Sequence, residues 1–262
     1  DLRMALAALC DDTDWGRTWR DVMQHRFKSR PGVDGSLDNH ALGNLLIVTL
    51  WELLGDPVAG LQWAGALLGA RGQVLPMSTH PLTIQGDVLR QTDSGLRHET
   101  VTGQAELAVA GTHSNVVNVR LLPSDAPACP DALTAIERAD WVILGPGSWY
   151  TSVLPHLLLP QMREALCTTS ARRCLTMNLR NETKETAGMS AADHLHAIRR
   201  YAPGFKVDAV LADPAVVEDR DSFVAAAAEM GARAVFGKVG AAAGGPIHDP
   251  LRLAAAYHDI FG

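Results

Sequence analysis

The segment Leu144-Gly145-Pro146-Gly147-Ser148-Trp149-Tyr150-Thr151-Ser152 concentrates residue types that could hold a ligand. It follows the apolar run Trp141-Val142-Ile143-Leu144 and leads into a helical pattern, so it is expected at the carboxyl end of a parallel strand, where open α/β sheets bind ligands. Gly145 and Gly147 would let the backbone approach a ligand closely. Ser148, Thr151 and Ser152 set hydroxyls beside the N–H groups of a helix start, a cradle suited to a phosphate. The competing reading is a strand-to-helix turn with no ligand. Neither the Rossmann dinucleotide fingerprint nor the Walker pattern is matched.

Two other places carry polar groups in suggestive positions. In His40-Ala41-Leu42-Gly43-Asn44, His40 and Asn44 are one helical turn apart and would share a face. They could offer donors to a ligand, or they could be capping residues beside a close helix contact at Gly43. Asn178 ends a predicted strand and opens the polar loop 181–188, which contains Glu185 and Thr186; this loop either faces a ligand or is a solvated connection. His194 and His196 point to different faces of one helix and read as solvent-facing or capping residues. His248 could touch a ligand, whereas Asp249 before Pro250 is explained by helix capping. No Ser-His-Asp, Cys-His or paired-carboxylate constellation can be assembled from spacing, so no catalytic residue and no metal ligand is named.

The elements that must position these residues fall into three parts. Residues 1–70 read as helical: the apolar run from Leu42 to Leu54 follows the polar residues Asp38-Asn39-His40 and stops at Gly55. Asp-Pro recurs at Asp56-Pro57, Asp213-Pro214 and Asp249-Pro250, where Asp can accept first-turn N–H groups and Pro occupies a position that needs no donor. Residues 73–122 are β-rich, with short runs at 83–89, 105–110 and 115–121 that suggest antiparallel strands joined by tight turns. Residues 131–262 alternate: helix 131–138, strand 141–144, a helix near 153–167, strand 174–177, helix 190–200, strand 207–211, helix 221–230, strand 233–236 and helix 250–260. That alternation predicts a parallel sheet covered by helices on both faces.

Composition narrows the function classes. The 262 residues are 47% apolar and 20% charged with a net charge of −6, which fits a globular chain that folds without a metal or disulfide staple. The mild acidic excess argues against nucleic acid or an anionic membrane as partner. Cys10, Cys129, Cys167 and Cys174 form no C-x-x-C pair and read as buried thiols of a reducing compartment. No apolar run reaches the ~18 residues of a membrane span. The sequence starts at Asp1 rather than Met and goes straight into a helical pattern, so further residues are expected upstream.

Taken together, Asp1-Leu2-Arg3, 40–46, 72–76, the 145–155 block with Leu157-Leu158-Leu159-Pro160, Asn178 with Glu185-Thr186-Ala187-Gly188, and His248-Asp249-Pro250 resemble the YvcK-type gluconeogenesis factors of the YvcK/CofD-like family. The resemblance implies one Rossmann-like, three-layer α/β domain over residues 1–262, with an N-terminal helical segment and a β-rich antiparallel insertion. It also implies a cytoplasmic, nucleotide-sugar-binding regulator, taking UDP-N-acetylglucosamine or UDP-glucose, needed for cell shape and wall synthesis under gluconeogenic growth. On that reading Asp1, Arg3, His40, Gly43, Asn44, Gly145, Gly147, Ser148, Tyr150, Thr151, Ser152, Asn178, Glu185 and Thr186 bind the ligand, and a homo-oligomer is compatible with it. The family's glycine-rich N-terminal turn lies before Asp1, and Ile247 stands where a basic residue is expected. The alternative is a Mg²⁺-dependent transferase like the 2-phospho-L-lactate transferases of deazaflavin coenzyme synthesis. A nicotinamide-dependent oxidoreductase ranks last, since it lacks its glycine fingerprint and a placed proton donor.

Overall fold

Helix starts follow the capping chemistry read from the sequence. Asp56 and Asp249 each accept a first-turn N–H while Pro57 and Pro250 take the next position. The computed structural model describes residues 1–29, 35–92, 95–110, 114–180, 186, 188–242 and 244–262. These form two units, Asp1–Thr79 and His80–Gly262.

The first unit is helical: α1 (Leu2–Leu9), α2 (Asp14–Gln24), α3 (Leu42–Leu54) and α4 (Pro57–Leu68). Gly55 and Gly69 close α3 and α4 in the left-handed conformation, at φ of 66° and 61°. Leu6, Met23, Ile47, Leu61 and Leu68 form its core, each contributing roughly 1.5–3 kcal/mol by burial. One expectation fails here. α3 begins at Leu42, and its N-cap is Ala41, which makes no side-chain capping bond. His40 therefore lies before the helix and shares no helical face with Asn44. Ala41 is instead held in an antiparallel bridge to Arg26, which keeps this stretch extended.

The second unit holds two sheets. β1 (Thr83–Thr92), β2 (Gly95–Thr102) and β3 (Ser114–Leu122) make an antiparallel sheet in the order β2-β1-β3. Residues 105–110, expected as a β-rich run, belong to a helix, α5 (Gln104–Ala110). The segment is dominated by good helix formers, and its buried residues Leu107 and Ala110 sit three apart, the spacing of a helix face. Leu107 settles onto Gly86 of β1, where a Cβ would come within 2.4 Å of the leucine.

The remaining elements alternate: α6 (Pro130–Glu137), β4 (Trp141–Leu144), a π-helical turn (Trp149–Val153), α7 (Pro155–Leu158), α8 (Pro160–Thr168), β5 (Arg172–Thr176), α9 (Ala191–Tyr201), β6 (Ala209–Ala212), a 3₁₀ turn (Pro214–Val216), α10 (Arg220–Glu229), β7 (Arg233–Phe236) and α11 (Pro250–Phe261). The strands form a parallel sheet in the order β4-β5-β6-β7, with Leu144 opposite Leu175 and Thr176 opposite Leu211. All four residues of β6 are buried, as expected for an inner strand covered on both faces by helices. The single helix expected near 153–167 is split into three pieces. Pro155 and Pro160 supply no N–H and restart the helix at each point.

Candidate functional site

The carboxyl edge of the parallel sheet gathers the 145–152 turn, Asn178 and the exits of β6 and β7. At Gly145 the chain leaves β4 with φ of 73°, and a Cβ there would lie 2.6 Å from the Thr176 carbonyl oxygen. Only glycine fits both constraints. Asn178 then fixes Gly147: the Gly147 N–H donates to Asn178 Oδ1 at 2.9 Å, and Asn178 Nδ2 donates to the Gly147 carbonyl at 2.8 Å.

The turn that follows is anchored from below. Trp149 is buried, its Nε1 donates to the His194 carbonyl at 3.0 Å, and its ring meets the His194 imidazole edge-on at 5.0 Å. Tyr150 is buried too, with its hydroxyl donating to Met189 Sδ. The Ser148 carbonyl accepts from both Ser152 and Val153, which gives the wide π-helical turn. With the two aromatic rings committed inward, the half-buried Ser148 and Thr151 and the exposed Ser152 carry the hydroxyls of the turn. The Ser148 and Thr151 hydroxyls hydrogen-bond each other. Thr186 is buried. Glu185 lies outside the described residues.

His194 departs from its expected role as a solvent-facing or capping residue. It is buried on α9 beneath Trp149, its Nδ1 bonded to the Ser190 carbonyl, and burial pushes its pKa down, so the ring is held neutral. His196 lies half-exposed near Glu229.

Two groups at this edge were only partly legible in the sequence. Asp213, read as a helix cap, does accept from Ala215 N–H. Its other oxygen accepts from the Val239 and Gly240 N–H groups at 2.9 and 3.0 Å and ties the exit of β7 to the end of β6. Burial alone would raise this carboxyl's pKa, but the three N–H bonds outweigh it and hold the pKa below the ordinary value. His248 Nε2 is buried without a partner, and burial pushes the ring's pKa down. The sign that could have flagged Asp213 is a third Asp-Pro pair falling at a strand end.

In the helical unit, Asp1 caps α1 by accepting from Met4 N–H and pairs with Arg3 at 3.2 Å. Arg3 is only 7% exposed, yet its Nε has no partner, an arrangement that leaves a buried cation incompletely matched. Gly43 lies against this pair: a Cβ there would come within 2.6 Å of the Met23 carbonyl and 2.8 Å of Arg3 Cγ. Asn44 and His40 are exposed.

The chemistry on offer is polar contact more than proton transfer. Burial pushes the Cys174 thiol up to about 11, which removes it as a nucleophile near neutral pH. Among the described residues no group of three His, Cys, Asp or Glu side chains is arranged to hold a metal ion. Among them, too, no helix is long and apolar enough to cross a membrane.

A family model described as 2-phospho-L-lactate transferase CofD matches residues 1–235. The chain belongs to the CofD family. Within that family it stands with the YvcK-type gluconeogenesis factors. A protein of Mycobacterium tuberculosis (strain H37Rv) assigned as a gluconeogenesis factor is 45% identical over 263 residues, covering 99% of this chain and 75% of the relative. The gluconeogenesis factor of Halalkalibacterium halodurans is 34% identical over 219 residues, covering 84% of this chain and 63% of the relative. A crystal structure of a UPF0052-family protein from Bacillus halodurans matches this CofD-family chain with a TM-score of 0.81 at 29% identity, covering 98% of this chain and 81% of that one.

Proposed function

We propose that the chain binds a nucleotide sugar, UDP-N-acetylglucosamine or UDP-glucose, and acts as a cytoplasmic regulator of cell shape and wall synthesis during gluconeogenic growth. The observation that carries this reading is the 145–152 turn: a glycine exit from a parallel strand, braced by Asn178, with Ser148, Thr151 and Ser152 grouped at the sheet's carboxyl edge. Kinship with gluconeogenesis factors supports a regulatory role. The buried thiol and the neutral, engaged His194 beneath the turn favour binding over acid–base chemistry.

Calorimetric titration with each uridine diphosphate sugar, followed by chromatographic recovery, tests this. The sugar should bind and return unchanged. Ser148→Ala should lower affinity by about 1.5–3 kcal/mol, the usual worth of a hydrogen bond to a charged group, with the melting temperature kept. Equal affinities in equally stable proteins would reduce the turn to a structural connection.

The family model's own description supports a second reading, a phospholactate-type transferase. No step is assigned to Mg²⁺ here: among the described residues no three His, Cys, Asp or Glu side chains gather to hold a metal ion. Mg²⁺-dependent reaction of a deazaflavin alcohol with an activated phospholactate would establish the transferase and displace the regulator.

A further inference from the structure

β2 is the outer strand of the antiparallel sheet: β1 pairs with one side, and no described strand pairs with the other. It is eight residues long, and its stretch from Leu96 to Thr100 is exposed throughout, Leu96 at 68%. The phase of its main-chain hydrogen bonds is fixed. Gly103 N–H donates to the Ile84 carbonyl, and Thr102 stands opposite Gln85, so the odd-numbered residues of β2 turn their main-chain groups toward β1 and the even-numbered ones turn theirs outward. Leu96, His98 and Thr100 thus present N–H and C=O groups along the edge, a template on which another strand can pair. Charge at this edge is unevenly matched. Arg90 of β1 stands opposite Arg97, a placement of like charges that costs stability, and it is Arg90 that pairs with Glu99, at 3.4 Å. Arg97 makes no ion pair among the described residues.

We propose that β2 pairs antiparallel with β2 of a second copy of this chain, about a two-fold axis through His98, so that the two three-stranded sheets join into one. This register sets Leu96 of each copy opposite Thr100 of the other, and the outward main-chain groups of Leu96, His98 and Thr100 complete the ladder across the axis. Arg97 then faces Glu99 of the second copy, and Glu99 faces the second copy's Arg97. Both are non-hydrogen-bonded pairs, the kind in which facing side chains come closest. The cation left over on each copy thereby meets a carboxylate. An axis through Arg97 or through Glu99 would set that charge against its own equivalent, so the strand's charges place the axis at His98. The run Leu96-Arg97-His98-Glu99-Thr100 is complementary in charge to the same run read in the opposite direction, which is what an isologous two-fold contact requires.

Sedimentation of the 262-residue chain with no nucleotide present tests the pairing. The wild type should shift reversibly from the chain mass of 28.0 kDa to twice that mass as its concentration rises. Arg97→Glu and Glu99→Arg each set like charges across the axis at both places and should weaken association by about tenfold or more. An equimolar mixture of the two variants should regain the wild-type association, because the two substituted residues face each other with opposite charge, as do the unsubstituted Glu99 of one variant and the unsubstituted Arg97 of the other. Hydrogen exchange of the wild type gives a reading that needs no variant: protection at the Leu96, His98 and Thr100 amides should grow with protein concentration. A wild type that stays at the chain mass up to about 100 µM would overturn the proposal, since even a weak dimer is populated there. So would a dimer that both single variants retain at full strength, a mixture that fails to recover, or protection at those three amides that does not change with concentration.

Discussion

Asn178 serves Gly147 as a neighbouring strand would, accepting from its N–H and donating to its carbonyl through one side-chain amide. The amide of Gly147 is thereby spent inside the protein, and the turn's shape is held from the β5 side. Asn178→Ala should leave both half-buried backbone groups without their partner and cost about 1–3 kcal/mol of stability. Asn178→Asp keeps the acceptor and loses the donor, so it should fall between alanine and wild type. Denaturant melts of the three proteins read this order. An alanine variant as stable as wild type would mean that solvent replaces the pairing at no loss.

The two glycines of the turn should respond differently to the same substitution. Gly145→Ala meets both a left-handed φ and a carbonyl oxygen at 2.6 Å, so it should destabilise by about 1–3 kcal/mol. Gly147 carries no positive φ, and its added Cβ would meet Ser152 Cβ at 3.3 Å, a contact that a small shift relieves. Gly147→Ala should stay within about 1 kcal/mol of wild type. Thermal melts of the pair check the contrast, and an equal loss at both positions would contradict the geometry.

Asp213 makes stability depend on acidity in a stated direction. Its folded pKa lies below the ordinary carboxylate value, so its ionised form stabilises the fold fully above the unfolded pKa, and that contribution is lost as pH falls through the folded pKa. Wild type should exceed Asp213→Asn in stability at neutral pH by about 1.5–3 kcal/mol, the scale of hydrogen bonds to a charged group. The gap should close below about pH 4, where the unfolded carboxyl begins to protonate. Paired urea melts from pH 7 down to pH 3 measure it. A gap that stays constant over that range would show that the charge itself contributes nothing.

Much of the parallel half was legible from sequence because its causes are local. Asp249-Pro250 caps a helix with atoms two and three residues apart, and Trp141-Val142-Ile143-Leu144 reads as a strand because it is a short, continuous apolar run ending at a Gly-Pro turn. The placement of the 145–152 turn at the end of β4 followed from the same reasoning. Tertiary structure decided what neighbours in sequence could not. Residues 105–110 are helical because Leu107 finds space over Gly86, and Trp149 and Tyr150 turn inward because His194 and Met189 wait beneath them. Gly147 spends its amide on Asn178, and Asp213 spends one oxygen on Val239 and Gly240, partners brought together only when the strands align. Caps and propensities act over a few bonds and can be read along the chain, whereas the partner of a buried polar group is whichever group the packed sheet brings within 3 Å of it.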